Sequence, residues 1–178
     1  MNTMTTFTGK RFDPIQMTPD DICLEDIAHA LSLSCRGGGH LKYFYSVAQH
    51  SLNCAAEARA RGWSERLQLA CLLHDASEAY LSDVIRPIKG RLTNYLEIEA
   101  AVMEKILDKF GLSGLTEEEN KKWKQIDDEI LYYELSRLLP DGQDLPAPRL
   151  SAQPDIAERD WRKVKAEFMA AACALTGS

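Results

Sequence analysis

Cys71-Leu72-Leu73-His74-Asp75-Ala76-Ser77-Glu78-Ala79-Tyr80-Leu81-Ser82-Asp83 sets adjacent His74 and Asp75 at the end of an apolar helical run. Two more carboxylates, Glu78 and Asp83, stand close behind. Leu67, Ala70, Cys71, His74 and Glu78 recur at helical spacing from a start at Ser64, so the run reads as a helix with His74 and Glu78 on one stripe. An imidazole beside a carboxylate on an inner face is costly to bury unless something binds it, and a divalent cation suits both groups.

On the N-terminal side, Ser46 is an N-cap for a helix whose Val47, His50, Ser51, Cys54, Ala55 and Ala58 share a face, up to a stop at Gly62. Before it, Glu25 and Asp26 sit where a first helical turn favours acids, and Ile27, Ala30, Leu31 and Ser34 follow at helical spacing. Gly37-Gly38-Gly39 ends that helix. Phe7 to Asp13 reads as a short extended or hairpin segment around Gly9.

On the C-terminal side, Asp83 to Gly90 reads as a loop broken at Pro87. Thr93 caps a helix with the stripe Leu96, Glu99, Met103, Ile106, Leu107 and Phe110. Thr116-Glu117-Glu118-Glu119 is a capping box that opens a helix through Leu139. A Pro-rich loop covers 140–154, and Ala157, Trp161, Val164, Phe168 and Leu175 mark a last helix. The expected fold is an all-α bundle of about six helices with a short extended N-terminal segment. It forms a single domain over 1–178, with its core at 20–139 and a C-terminal helix at 155–176.

The net charge of −6, with no basic tract, argues against duplex nucleic acid or an anionic membrane as main partner. It leaves room for a local basic pocket that takes a small anion. No apolar run is long enough to span a bilayer and the first residues lack a signal-peptide core, so a cytoplasmic protein is expected. The five cysteines are scattered and form no C-x-x-C pair, which reads as reduced, buried thiols.

Only four histidines occur, and two of them, His50 and His74, lie on apolar stripes. Either alone reads as a satisfied core residue; together, and with Asp75, they point to a metal. Stepping about 100° per residue along the helix after Thr116 places Trp123, Ile126, Ile130, Leu131 and Leu138 inward. Asp127 falls in the middle of that arc and Asp128 outside it, where it can be solvated. The alternative partner for Asp127 is a core arginine such as Arg36 or Arg137. The set His50, His74, Asp75 and Asp127 suits one divalent transition ion: Mn²⁺, Co²⁺, Fe²⁺, Zn²⁺ or Ni²⁺.

The pattern H…HD…D, with D-I-A-H-A-L-S (Asp26–Ser32), Y-S-V-A-Q-H-S (Tyr45–Ser51) and L-L-H-D-A-S-E-A-Y-L-S-D-V-I-R-P-I-K (Leu72–Lys89), resembles the HD-domain metal-dependent phosphohydrolases. The similarity is to the branch of bacterial 5′-deoxynucleotidases and phage dATP triphosphohydrolases, and covers about Phe7 to Leu139. That branch follows its distal Asp with a Leu and a Glu, as Leu131 and Glu134 follow Asp127 here. The resemblance implies that Glu78 and Asp83 are an acidic pair that handles the attacking water and the leaving group, although Asp83 reads equally well as a turn residue. It also implies that Arg36 binds phosphate.

Lys89 and Lys124 are further phosphate candidates, with a solvated surface charge as the other reading of each. His40 is either a phosphate or base contact or a loop residue, and His29 reads as structural. Gly37 stands where the dATP-specific enzymes carry an aromatic, so base selectivity is left open.

The implied activity is hydrolysis of a (deoxy)nucleoside 5′-monophosphate to nucleoside and phosphate. The alternatives are a dNTP triphosphohydrolase, whose polyphosphate substrate would bring a second, Mg-type ion, and a non-catalytic nucleotide-binding module. A small-molecule nucleotide is the expected partner, and a homodimer the expected assembly.

Overall fold

Gly9, at φ +84°, turns the chain back so that β1 (Met4–Thr5) pairs antiparallel with β2 (Arg11–Phe12), Met4 opposite Phe12 and Thr5 opposite Arg11. The computed structural model of the chain describes residues 2–142 and 148–177. Everything else regular among these residues is helical: α1 (Leu24–Leu33), a 3₁₀ turn at Arg36–Gly39, α2 (Val47–Ala60), α3 (Glu65–Leu73), α4 (Glu78–Leu81), α5 (Arg86–Lys89), α6 (Tyr95–Lys109), α7 (Glu117–Leu138) and α8 (Trp161–Thr176). The expected all-α bundle is therefore the observed fold, and α4 and α5 are single turns of four residues each beside the longer helices.

The ends of the long helices follow their capping chemistry. Ser46 accepts from the Gln49 N–H and Ser64 from the Leu67 N–H, and Thr116 and Glu119 make both halves of a capping box. α6 departs from expectation. It begins at Asn94, which adopts a left-handed conformation at φ 60° and makes no side-chain cap, rather than at Thr93. Of its expected stripe, Ile106 is buried and Met103, Leu107 and Phe110 pack on the core beside Val102, whereas Leu96 is about half exposed. The Asp83–Gly90 stretch is not wholly loop, because Pro87, at the start of α5, fits the first turn of a helix where no N–H bond is needed. α8 begins at Trp161, capped by Asp160, so Ala157 lies outside it. Of the expected Pro-rich loop over 140–154, residues 143–147 lie outside the described residues.

α2 sits at the centre, packed against α1, α3, α7 and α8. The main core joins Ile27 and Leu31 of α1, Val47 of α2, Leu69 and Leu72 of α3, and Val164 and Phe168 of α8. A smaller apolar cluster of Cys54, Ala58, Cys71, Ile126 and Ile130 binds α2, α3 and α7 together. That second cluster fixes the three elements that carry His50, His74 and Asp127. All five cysteines are free, but only Cys54 and Cys71 are buried.

Two buried acids, Asp26 and Glu57, are structural. Asp26 is buried and accepts from the Thr8 N–H (2.7 Å) and hydroxyl (2.8 Å), tying the N-terminal ribbon to α1. Glu57, fully buried on α2, accepts from the N–H groups of Ser151 (2.9 Å) and Ala152 (2.7 Å) and from Arg61 (2.7 Å). Burial would raise its pKa, but these donors hold it below its ordinary 4.5. His29 stacks on Phe7 at 3.8 Å and meets the edge of Trp161, as a structural histidine would.

Candidate metal centre

His50 lies in the first turn of α2, fully buried, where the Ser46 cap sets the phase of the helix. His74 is the C-cap of α3, and the chain does not run on as one helix to Glu78. It tightens instead, with the Ala76 N–H bonding the Leu73 carbonyl and the Glu78 N–H the Asp75 carbonyl. His74 Nε2 and Asp75 Oδ2 lie 3.2 Å apart at this turn. Asp127 enters from the inner arc of α7, between buried Ile126 and Ile130.

The donor atoms converge. His50 Nε2 is 3.3 Å from His74 Nε2, 3.2 Å from Asp127 Oδ1 and 3.9 Å from Asp75 Oδ2, and His74 Nε2 is 3.6 Å from Asp127 Oδ1. The outer ring nitrogens are already committed. His50 Nδ1–H donates to Glu134 at 2.9 Å, since a carboxylate can only accept, and His74 Nδ1–H donates to the Cys71 carbonyl at 2.7 Å. Both Nε2 lone pairs therefore face inward, towards each other and two carboxylate oxygens.

Four acceptors with no donor among them require positive charge, either protons or a cation. Burial pushes the His74 pKa down, but Asp75 and Asp127 override it and raise it well above the imidazole range. His50 is raised likewise by Glu134 and Asp127, against its burial and Arg36. Despite burial, the imidazoles hold Asp75 and Asp127 well below the carboxylate range.

The donor set fits a transition ion. Metal–ligand bonds of about 2.0–2.2 Å put neighbouring ligand atoms roughly 3.0–3.6 Å apart, close to the spacings found here. His50, Cys54 and His74 also form a cluster that could hold a metal ion, with Cys54 Sγ 3.5 Å from His50 Nε2. Cys54 shares the apolar stripe of α2, where a buried cysteine reads as core. Burial, with Asp127 and Glu134 nearby, pushes its thiol well up, which makes it a poorer ligand than the carboxylates. Glu134 is the outer support: it also accepts from the Tyr45 hydroxyl at 2.6 Å, which Asn53 steadies at 2.8 Å.

The centre lies against a cleft of about 730 Å³, lined by every remaining candidate: Glu78, Asp83, Arg36, His40, Lys89 and Lys124. Glu78 is buried, its Oε2 has no hydrogen-bond partner among the described residues, and burial with Asp75 and Asp83 pushes its carboxyl up to about 9. Arg36 is nearly buried and not bare. It bonds Asp75 at 2.9 Å and lies 3.7 Å from Glu134, while Gly37 and Gly38 take left-handed conformations beside it. Lys89 is held by Glu99 at 2.6 Å and lies 3.8 Å from Glu78. His40 and Lys124 are exposed, and neither forms an ion pair among the described residues.

Asp128 is not simply solvated, because it bonds Arg86 at 2.6 Å. Arg86 also reaches Asp127 at 2.8 Å, and sequence reasoning passed over it. Arg137 is not the partner of Asp127: it lies over the Tyr133 ring.

No protein-family model matches the chain. Its curated relatives share part of it. The Uncharacterized protein YfdR of Escherichia coli (strain K12) is 39% identical over 112 residues, 63% of this chain and 60% of that protein. The Uncharacterized protein RCAP_rcc00048 of Rhodobacter capsulatus is 41% identical over 114 residues, 61% of this chain and 58% of that protein. The chain thus spans about six-tenths of the length of the relatives it matches. No helix among the described residues is long and apolar enough to cross a membrane.

Proposed function

We propose that the chain is a metal-dependent nucleotide phosphohydrolase of the HD type, converting a deoxynucleoside 5′-monophosphate to nucleoside and phosphate. The observation that carries this reading is the convergence of two inward-facing imidazole lone pairs with Asp75 and Asp127 beside an open cleft that also holds a carboxyl oxygen unpartnered among the described residues.

His50, His74, Asp75 and Asp127 would hold the ion. When bound, it supplies polarisation of a phosphate oxygen and a lowered pKa for water. Glu78, with its raised carboxyl, holds its proton at neutral pH, which suits giving one to the leaving oxygen. Asp83 lines the same cleft and raises Glu78 further by its charge. His40 and Lys124, exposed at the cleft, bind the phosphate, while Arg36 and Lys89 act mainly as charge balance for the carboxylates they pair with.

That balance favours a monophosphate. With Arg36, Lys89 and Arg86 already paired, little cationic charge is left for a triphosphate. The cleft volume suits one nucleotide, and Leu41, Ile85, Leu96, Leu131 and Leu135 supply the apolar wall that a base and sugar need.

The test is a panel of deoxynucleoside mono- and triphosphates given to chelator-stripped protein reloaded with Mn²⁺, Co²⁺ or Zn²⁺. Phosphate and triphosphate release are scored separately. Phosphate from monophosphates is expected. Triphosphate release would move the assignment to a triphosphohydrolase, and no release from any nucleotide would overturn it.

A further inference from the structure

We infer that Arg86 is a positioning residue for the metal centre: with Asp128 it forms an outer clasp that fixes how Asp127 presents Oδ1 inward. The inference rests on the metal reading above. The two oxygens of Asp127 are divided between tasks. Oδ1 faces His50 Nε2 at 3.2 Å and His74 Nε2 at 3.6 Å, and Oδ2 accepts from Arg86 Nη2 at 2.8 Å. The other arm of the guanidinium, Nη1, donates to Asp128 Oδ1 at 2.6 Å.

Asp127 and Asp128 are neighbours on α7 whose side chains diverge by about 100°. A planar fork can bridge them, whereas the point charge of a lysine cannot satisfy both at fixed angles. Arg86 opens α5, where Pro87 fixes its own φ and restricts the backbone of Arg86 before it, so the fork stands on a restrained turn. The clasp ties α5 to α7 and holds Asp127 Oδ2 while Oδ1 faces the two imidazoles.

Three effects compete at this position. An ion pair as exposed as Arg86–Asp128 contributes little by itself. The positive charge of Arg86 repels a bound cation, so removing it would tighten metal binding on charge grounds alone. Loss of an outer partner that orients a ligand weakens metal binding by about 10–100-fold. Orientation wins if the inference holds, so the sign of the change separates it from simple electrostatics.

The experiment is titration of chelator-stripped protein with Co²⁺, followed by visible absorption, in wild type, Arg86→Gln and Arg86→Lys. Melting temperatures of the metal-free proteins serve as the folding control. Arg86→Gln is expected to weaken Co²⁺ binding about 10–100-fold and to change the absorption band shape. Arg86→Lys keeps the charge and loses the fork, and is expected to weaken binding as well. Should Arg86→Gln fail to fold, Arg86→Lys carries the test. Either folded variant binding Co²⁺ as tightly as wild type, or more tightly, overturns the clasp. A wild type that binds no Co²⁺ overturns the metal reading instead, so the two failures are distinguishable.

Discussion

His50 and His74 each hold an outer N–H on a fixed acceptor, Glu134 and the Cys71 carbonyl, and so turn a lone pair inward. With the carboxylates of Asp75 and Asp127 they make the donor set proposed to hold a cation. Asp127→Ala is expected to abolish stoichiometric metal uptake, measured by elemental analysis after reloading. Asp128→Ala is expected to keep it at lower affinity, since the carboxylate of Asp128 is held by Arg86 and faces away from the donor set. The reverse order would mean that Asp128 supplies the ligand. Glu78→Gln should retain the ion and lose about 10²–10⁴-fold in turnover; unchanged turnover would remove Glu78 from proton transfer.

Periodicity alone separated Asp127 from Asp128, because Ile126 and Ile130 mark the buried arc of α7. It could not show Arg86, whose partners lie about 40 residues away and whose own turn carries no stripe. Nor could it show that Arg36 is committed to Asp75 and Glu134.

At the scale of elements, capping chemistry was legible and chain breaks were not. Ser46, Ser64 and the Thr116 box start their helices as the sequence implies. The run from Leu67 to Glu78 keeps helical spacing in sequence, yet α3 ends at Leu73 and α4 begins only at Glu78, with i→i+3 bonds between them that no apolar stripe announces. Ser46→Ala is expected to destabilise the fold by about 1 kcal/mol in urea unfolding. No change would mean that the isolated Cys35–Ser46 bridge, not the cap, holds this corner.

Glu57 is the anchor of the stretch before α8, which no local pattern revealed because its N–H partners lie 94 and 95 residues on. Its folded pKa is below 4.5, so its contribution to stability is complete above about pH 4.5 and is lost as pH falls through the folded value. Glu57→Gln should therefore flatten the acid limb of a melting-temperature profile. An acid limb unchanged by the substitution would show that Glu57 carries none of it.

For the whole molecule, α2 is the hub: one side packs into the main core and the other carries His50 to α3 and α7. The all-α architecture followed from stripes and caps, and the ribbon from Gly9. The outward turn of Leu96 did not, because the first turn of α6 lines the cleft while Val102 and Ile106 further along it face the core. Phe168 of α8 is fully buried well away in sequence from the donor set, so Phe168→Ala should lower stability by about 3–5 kcal/mol while the surviving folded protein still binds its ion. Loss of ion binding by the folded fraction would show that α8 shapes the centre directly.

The measurement that bears most directly on the whole account is the transition-metal content of the wild-type chain after stripping, reloading with Mn²⁺ or Co²⁺ and exhaustive dialysis. About one ion per chain is expected, together with a melting temperature that falls when chelator removes it. A chain that retains no ion and melts at the same temperature with and without chelator would contradict the metal centre and the hydrolytic function built on it.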